Sequence, residues 1–387
     1  MKAIRLFLVS CALVVANCEA LAAVIDLEAA DGPDRTCPKY LGLDTAKLRT
    51  DADRAAFAIC NIVDLVREAM TRFRTFQAQG QRTDGAFVDE LRGRLERALT
   101  RVRASRTALD GVKGAGPYFA IRPGDWAIDW DGDGTISTLE KYLLWTPKRG
   151  VDAFRARERF RNEAAYYEEQ FVSPRIRVDR ADIYWAVAYL QFFEGALNLV
   201  LAYDVDLAQG LSARLKDPER VRKIAHGNVL GGILASSRLR DALLRETDDD
   251  DEWIPNPKQR RTTFPLLMDA QTFATWGELL GHMDKLFRGK TLLGGTVDSQ
   301  EFRNVRDLAG GFCAPGEGID VLSLFTRPIR EPLNEGALKE RCVRPNAARP
   351  MTGLAAMIAE SIRRNGGRTP DSFSGEWMIL RHFYWVN

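Results

Sequence analysis

Asp129, Asp131 and Asp133 alternate along the chain and are followed at once by Gly134; Thr135, Ser137 and Glu140 extend this run of oxygen-bearing residues. Three carboxylates packed this tightly repel one another unless a cation or protons sit among them. A donor set made only of oxygen atoms suits a hard cation such as calcium, which takes six to eight of them. The competing reading is an Asp/Gly-rich surface turn that binds nothing.

The stretch Asp129-Trp130-Asp131-Gly132-Asp133-Gly134-Thr135-Ile136-Ser137-Thr138-Leu139-Glu140 resembles the EF-hand calcium loop. The resemblance implies side-chain oxygens from Asp129, Asp131 and Asp133 and a sharp turn with positive φ at Gly134. It implies a backbone carbonyl from Thr135, a direct or water-mediated contact from Ser137, and two oxygens from Glu140. It covers this loop and the segment after it, and nothing else in the chain. Thr138 to Trp145 reads as the exiting helix, stopped by Pro147. On the other side Gly111, Gly114, Gly116, Pro117, Pro123 and Gly124 leave room for at most one short turn near Asp125 to Ile128. No partner loop is found: Asp248 to Glu252 meets Trp253 where the turn glycine belongs, and Tyr203 to Ala208 fails after Asp206. A lone loop with one flanking helix implies a structural site, because a switching hand needs two helices to reorient.

The elements that must position this loop are helical. Ile59, Ile62, Val66, Met70 and Phe73 recur at helical spacing within a helix expected from about Asp44 to Phe76. Phe87, Leu91, Leu95, Ala98 and Val102 repeat the pattern to about Leu109, with Thr83-Asp84-Gly85 as the turn of an antiparallel hairpin. Arg92, Arg94, Arg97, Arg101, Arg103 and Arg106 decorate the second helix and read as a solvated face with compensating acids. Further helices are expected over Val151 to Phe171, Asp179 to Tyr203, Asp217 to Arg245 and Asp269 to Phe287. Within Asp179 to Tyr203, Gln191, Glu194 and Asn198 share one face. They form either a polar stripe or a buried acid whose desolvation raises Glu194. Asp248 to Glu252 and Pro255-Asn256-Pro257 read as an exposed loop or subdomain boundary. Trp126, Trp130 and Trp145 read as packing for the loop, with a sugar-stacking platform as the alternative.

The N-terminus has the form of a secretory signal: Lys2 and Arg5, an apolar run from Leu6 to Ala16, and Ala20-Leu21-Ala22 as cleavage site. Lipidation at Cys18 is the weaker alternative, because Asn17 precedes that cysteine where a small residue is expected. Cleavage leaves Cys37, Cys60, Cys313 and Cys342, an even count that favours disulfides in an oxidising compartment. Sequence proximity suggests Cys37–Cys60 and Cys313–Cys342, with two other pairings open. Scattered His226, His282 and His382, with no C-x-x-C, argue against zinc.

Net charge is +2 over 387 residues, and losing Lys2, Arg5 and Glu19 leaves +1, which argues against a nucleic-acid partner. No segment after the signal is long and apolar enough to span a membrane. The expected organisation is a signal over 1–22, a helical hairpin over 23–110, the calcium-loop region over 111–150, a central bundle over 151–250, and a Gly-rich, disulfide-tethered C-terminal part over 251–387. The fold class is mainly α, an irregular multi-helix bundle of amphipathic helices. No nucleophile elbow, H-E-x-x-H or dinucleotide fingerprint is present. The reading is an exported, periplasmic or secreted, non-enzymatic protein with one structural calcium ion. Its rivals are a calcium-responsive adaptor for an envelope protein partner, and a calcium-stabilised hydrolase of cell-wall or polysaccharide material.

Overall fold

The computed structural model describes residues 25–79, 85–148, 162–206, 212–264, 268–294, 313–314, 316–330 and 335–353. The signal segment, Thr83-Asp84, residues 151–161, the Gly-rich stretch at 310–312 and the aromatic C-terminal tail lie outside them.

The fold is mainly α. Its helices are α1 (Gly32–Thr36), α2 (Asp51–Gln79), α3 (Gly85–Asp110), α4 (Thr138–Lys141), α5 (Glu163–Gln170), α6 (Arg180–Leu201), α7 (His226–Leu243), α8 (Ala270–Phe287), α9 (Val321–Thr326) and α10 (Glu335–Lys339). A π-turn over Arg220–Ala225 leads into α7. Aspartates set several helix starts. Asp179 caps α6 by accepting from the Ala181 amide at 2.8 Å, and Asp269 caps α8 by accepting from Thr272 at 2.7 Å. Asp44 caps a 3-10 turn over Thr45–Lys47 instead, so α2 begins later than its periodicity suggests.

Short antiparallel pairs tie the helices together. β1 (Phe119–Ile121) pairs with β4 (Ile176–Val178), and β2 (Thr146–Pro147) pairs with β3 (Phe171–Val172). β5 (Tyr203–Asp206) pairs with β6 (Ser212–Leu215), and β7 (Gly318–Ile319) with β8 (Cys342–Val343).

The main core runs through α2, α3, α6, α7 and α8, with Leu99, Val102, Ile183, Leu190, Leu197, Leu239 and Trp276 among its buried members. Trp253, Ile254 and Phe264 belong to the same core. The segment expected as an exposed loop therefore divides: Asp248 and Asp250 are exposed, whereas Glu252 to Asn256 are buried. Burial of the apolar pair Trp253 and Ile254 outweighs the acidic character of the run before them. Phe73, expected on a core face, is 57% exposed. In α2 it is Ala55 to Ala58, Cys60, Asn61 and Val63 that are buried.

Both expected disulfides are present, Cys37–Cys60 and Cys313–Cys342. No helix among the described residues is long and apolar enough to cross a membrane.

Candidate functional site

The stretch 129–140 lies between two anchors. β1 precedes it and β2 follows it, and both pair with the chain at 171–178 just before α6. On its N-terminal side a 3-10 turn over Pro123–Asp125 ends in extended backbone at Trp126. Period-two alternation then sorts the side chains: Trp126, Ile128 and Trp130 are buried, and the residues between them face outward. The buried three join Cys37, Cys60, Phe57 and Val63 in a second core. The Trp126 indole N–H donates to the Leu27 carbonyl at 2.9 Å, and that of Trp145 to the Gly124 carbonyl at 2.7 Å. Trp126 and Trp130 are buried in this core, and Trp145 is half-buried against Tyr142.

Alternation also places Asp129 and Asp131 on the outer side, where the turn gathers them. Carboxylate oxygens of Asp129, Asp131 and Asp133 all lie within 4.8 Å of one another. The Asp129 oxygens accept amides of Gly132 at 2.7 Å, Asp133 at 3.1 Å and Gly134 at 2.8 Å. Asp133 accepts from the Thr135 amide at 2.8 Å and its hydroxyl at 2.7 Å. These Thr135 hydrogen bonds hold the Asp133 carboxyl below the usual carboxylate range. The reversal depends on Gly134, with φ +90°.

Glu140 stands apart from that trio. One of its oxygens accepts the amides of Trp130 at 2.8 Å and Asp131 at 3.0 Å; the other accepts the Ser137 amide and hydroxyl, both at 2.9 Å. Ser137 and Glu140 form a capping box at the start of α4. Burial pushes the Glu140 carboxyl up, but its hydrogen bonds from Ser137, Asp131 and Trp130 outweigh that and hold it below the ordinary value. Glu140 thus closes the loop by joining its beginning to its end. The oxygen-only donor set fits a hard cation. A ligating Glu140 would have to share oxygens that now accept backbone amides.

The exiting helix is shorter than its sequence suggests. α4 stops at Lys141, because Tyr142 turns inward to stack on Tyr167 at 4.9 Å and donates its hydroxyl to Glu168 at 2.6 Å.

Glu194 does not line a groove. It is 3% exposed, and its two oxygens accept from Arg103 and Arg106, each at 2.8 Å. Burial pushes its carboxyl up, but the two arginines outweigh burial and hold it below the ordinary value, opposite to the rise that desolvation alone implies. Arg103 also reaches Asn198, which accepts from Arg220, and Arg220 grips Glu96 through two nitrogens at 3.0 Å each. The arginines of α3 are therefore partly an internal ion-pair layer rather than a uniformly solvated face. An open cavity of about 700 Å³, rimmed by Arg222, Arg327, Arg330 and Arg341, shares no residue with the loop.

Sequence reasoning missed a second convergence. Asp179, Glu246 and Glu252 bring carboxylate oxygens within 4.8 Å of one another. Their separation along the chain left no local motif to find.

No family model matches this chain, and neither the curated proteins nor the solved structures include a match.

Proposed function

We propose that residues 129–140 hold one calcium ion, bound by Asp129, Asp131, Asp133, Thr135, Ser137 and Glu140, in an exported helical protein. The observation that carries this reading is the convergence of three aspartate carboxylates around the Gly134 turn. When bound, calcium neutralises carboxylates that otherwise repel one another. Its role is structural: it staples the crossover between the α2–α3 hairpin and α6, whose two ends are already pinned by short strands. Two disulfides support an oxidising location, periplasmic or secreted.

The test is a thermal melt of the full chain with calcium and with chelator. Ligand at about 100 times its Kd stabilises the folded state by roughly 2.7 kcal/mol, so the midpoint rises by several degrees. Asp129→Ala is expected to remove the share of the rise that the loop contributes. Equal midpoints for the unaltered protein in the two conditions overturn the reading.

The adaptor reading also draws on one observation. Ile136, Leu139 and Leu143 beside the loop are 46%, 53% and 36% exposed, a small apolar strip a partner could cover. It requires calcium to change the binding of an environment-sensitive apolar dye; a higher melting point with unchanged dye signal favours the structural role.

A further inference from the structure

We propose that Asp179, Glu246 and Glu252 form a second site for a hard divalent cation, at the junction of α6, the end of α7 and the buried segment that follows. The site shares no residue with the loop and does not depend on the loop holding calcium.

The geometry comes from three separate parts of the chain. Asp179 is the cap of α6, and one of its oxygens accepts the Ala181 amide at 2.8 Å and the Asp182 amide at 3.4 Å. Its other oxygen takes no hydrogen bond among the described residues. Glu246 lies just beyond the C-terminus of α7, and Gln259 donates to it at 3.4 Å. Glu252 precedes Trp253 and Ile254, whose burial draws it inward. Each residue presents an oxygen within 4.8 Å of the other two.

Glu252 supplies the independent reason for a ligand. It is 5% exposed, and its carboxylate has no hydrogen bond or ion pair among the described residues. A buried carboxylate without a donor is costly, and here it is aimed at two more carboxylates. The nearby cation does not resolve this, since Arg177 directs its nitrogens to Asp248 at 2.7 Å and Asp250 at 3.2 Å. Asp182, the remaining acid beside the cluster, accepts the Asp179 amide at 3.0 Å and brings no positive charge.

Protons or a cation relieve the repulsion among these three converging carboxylates. Burial, and after it the neighbouring carboxylates, pushes Glu252 up to about 9 and Glu246 up to about 7, so protons are the competing occupant. The donors are oxygen alone, with neither thiolate nor imidazole, which selects calcium or magnesium chemistry over zinc or copper. A cation here cross-links the start of α6 to the end of α7, two helices that pack against each other in the core.

Equilibrium dialysis of the full chain against calcium at neutral pH tests this, with Asp129→Ala disabling the loop and Glu252→Gln disabling the second site. The expected result is about two ions per chain unaltered, about one for each single variant and none for the double variant. One ion remaining in Asp129→Ala, and lost on adding Glu252→Gln, supports the second site. No ion in Asp129→Ala, or one that survives Glu252→Gln, overturns it. If Glu252→Gln alone abolishes all binding while Asp129→Ala changes nothing, the loop reading fails and this one stands. Glu252→Gln keeps the shape of the side chain and removes a buried charge, so its melt in chelator is expected at or above that of the unaltered protein. A melt far below marks misfolding, and Glu246→Gln then takes its place in the same dialysis.

Discussion

Glu194 is where a single residue most clearly joins two elements. Its carboxylate is buried between Arg103 and Arg106, and removing one partner of a buried pair leaves the other charges uncompensated. Glu194→Gln is expected to cost about 3 kcal/mol in urea unfolding at pH 7. The pH dependence follows from the lowered carboxyl. Its folded-state value lies below the unfolded one, so its contribution is fully present above the unfolded value of about 4.3 and is lost as pH falls through the folded value. The gap between the unaltered protein and Glu194→Gln should therefore narrow as pH falls below about 4.3. A gap that stays constant over that range would show that the ion pairs contribute no pH-dependent stability. The stripe Gln191, Glu194 and Asn198 was legible as a shared helix face, but its partners were not. Helical spacing says which side chains face together, and only the fold decides that the arginines of α3 lie opposite.

At the scale of elements, α6 and α7 meet through glycine. A Cβ at Gly232 would stand 2.5 Å from a ring carbon of Phe192, and one at Gly231 would stand 2.9 Å from the Gln191 side chain. Paired glycines weaken an isolated helix, and in α7 they allow this close approach. Gly232→Val is expected to destabilise by about 2 kcal/mol through overpacking, and adding Phe192→Ala should restore part of that loss. Additive losses in the double variant would place the strain elsewhere. Two helix starts were legible, at Asp179 and Asp269, whose side chains cap α6 and α8, whereas α2 and α7 start later than expected. Helix ends were less so. α4 stops early where Tyr142 turns in to stack on Tyr167, and no window around residue 142 contains that partner. The run through Glu252 misled for the same reason, since its fate depends on the core that receives Trp253 and Ile254.

Over the whole molecule, the loop and the first disulfide share one core. Cys37 and Cys60 are 5% and 0% exposed, and they pack in the cluster that holds Trp126, Ile128 and Trp130 at the root of the loop. Cys313–Cys342 instead adjoins β8 and lies outside that cluster. Chain entropy alone treats the two bridges alike. They close sequence separations of 23 and 29 residues, each worth about 3 kcal/mol by constraint of the unfolded chain. Packing separates them. Replacing Cys37 and Cys60 by alanine also removes buried sulfur beneath the tryptophans, which loosens the backbone that presents Asp129 and Asp131. That double variant is expected to lose about 3 kcal/mol of stability in urea and to bind calcium at the loop several-fold more weakly. The matching Cys313→Ala/Cys342→Ala variant should lose stability while keeping loop affinity. Titration of both in the Glu252→Gln background isolates the loop. Equal loop affinity in the two variants would mean that the shared core does not hold the ligands in place, and that the strands at 119–121 and 146–147 suffice.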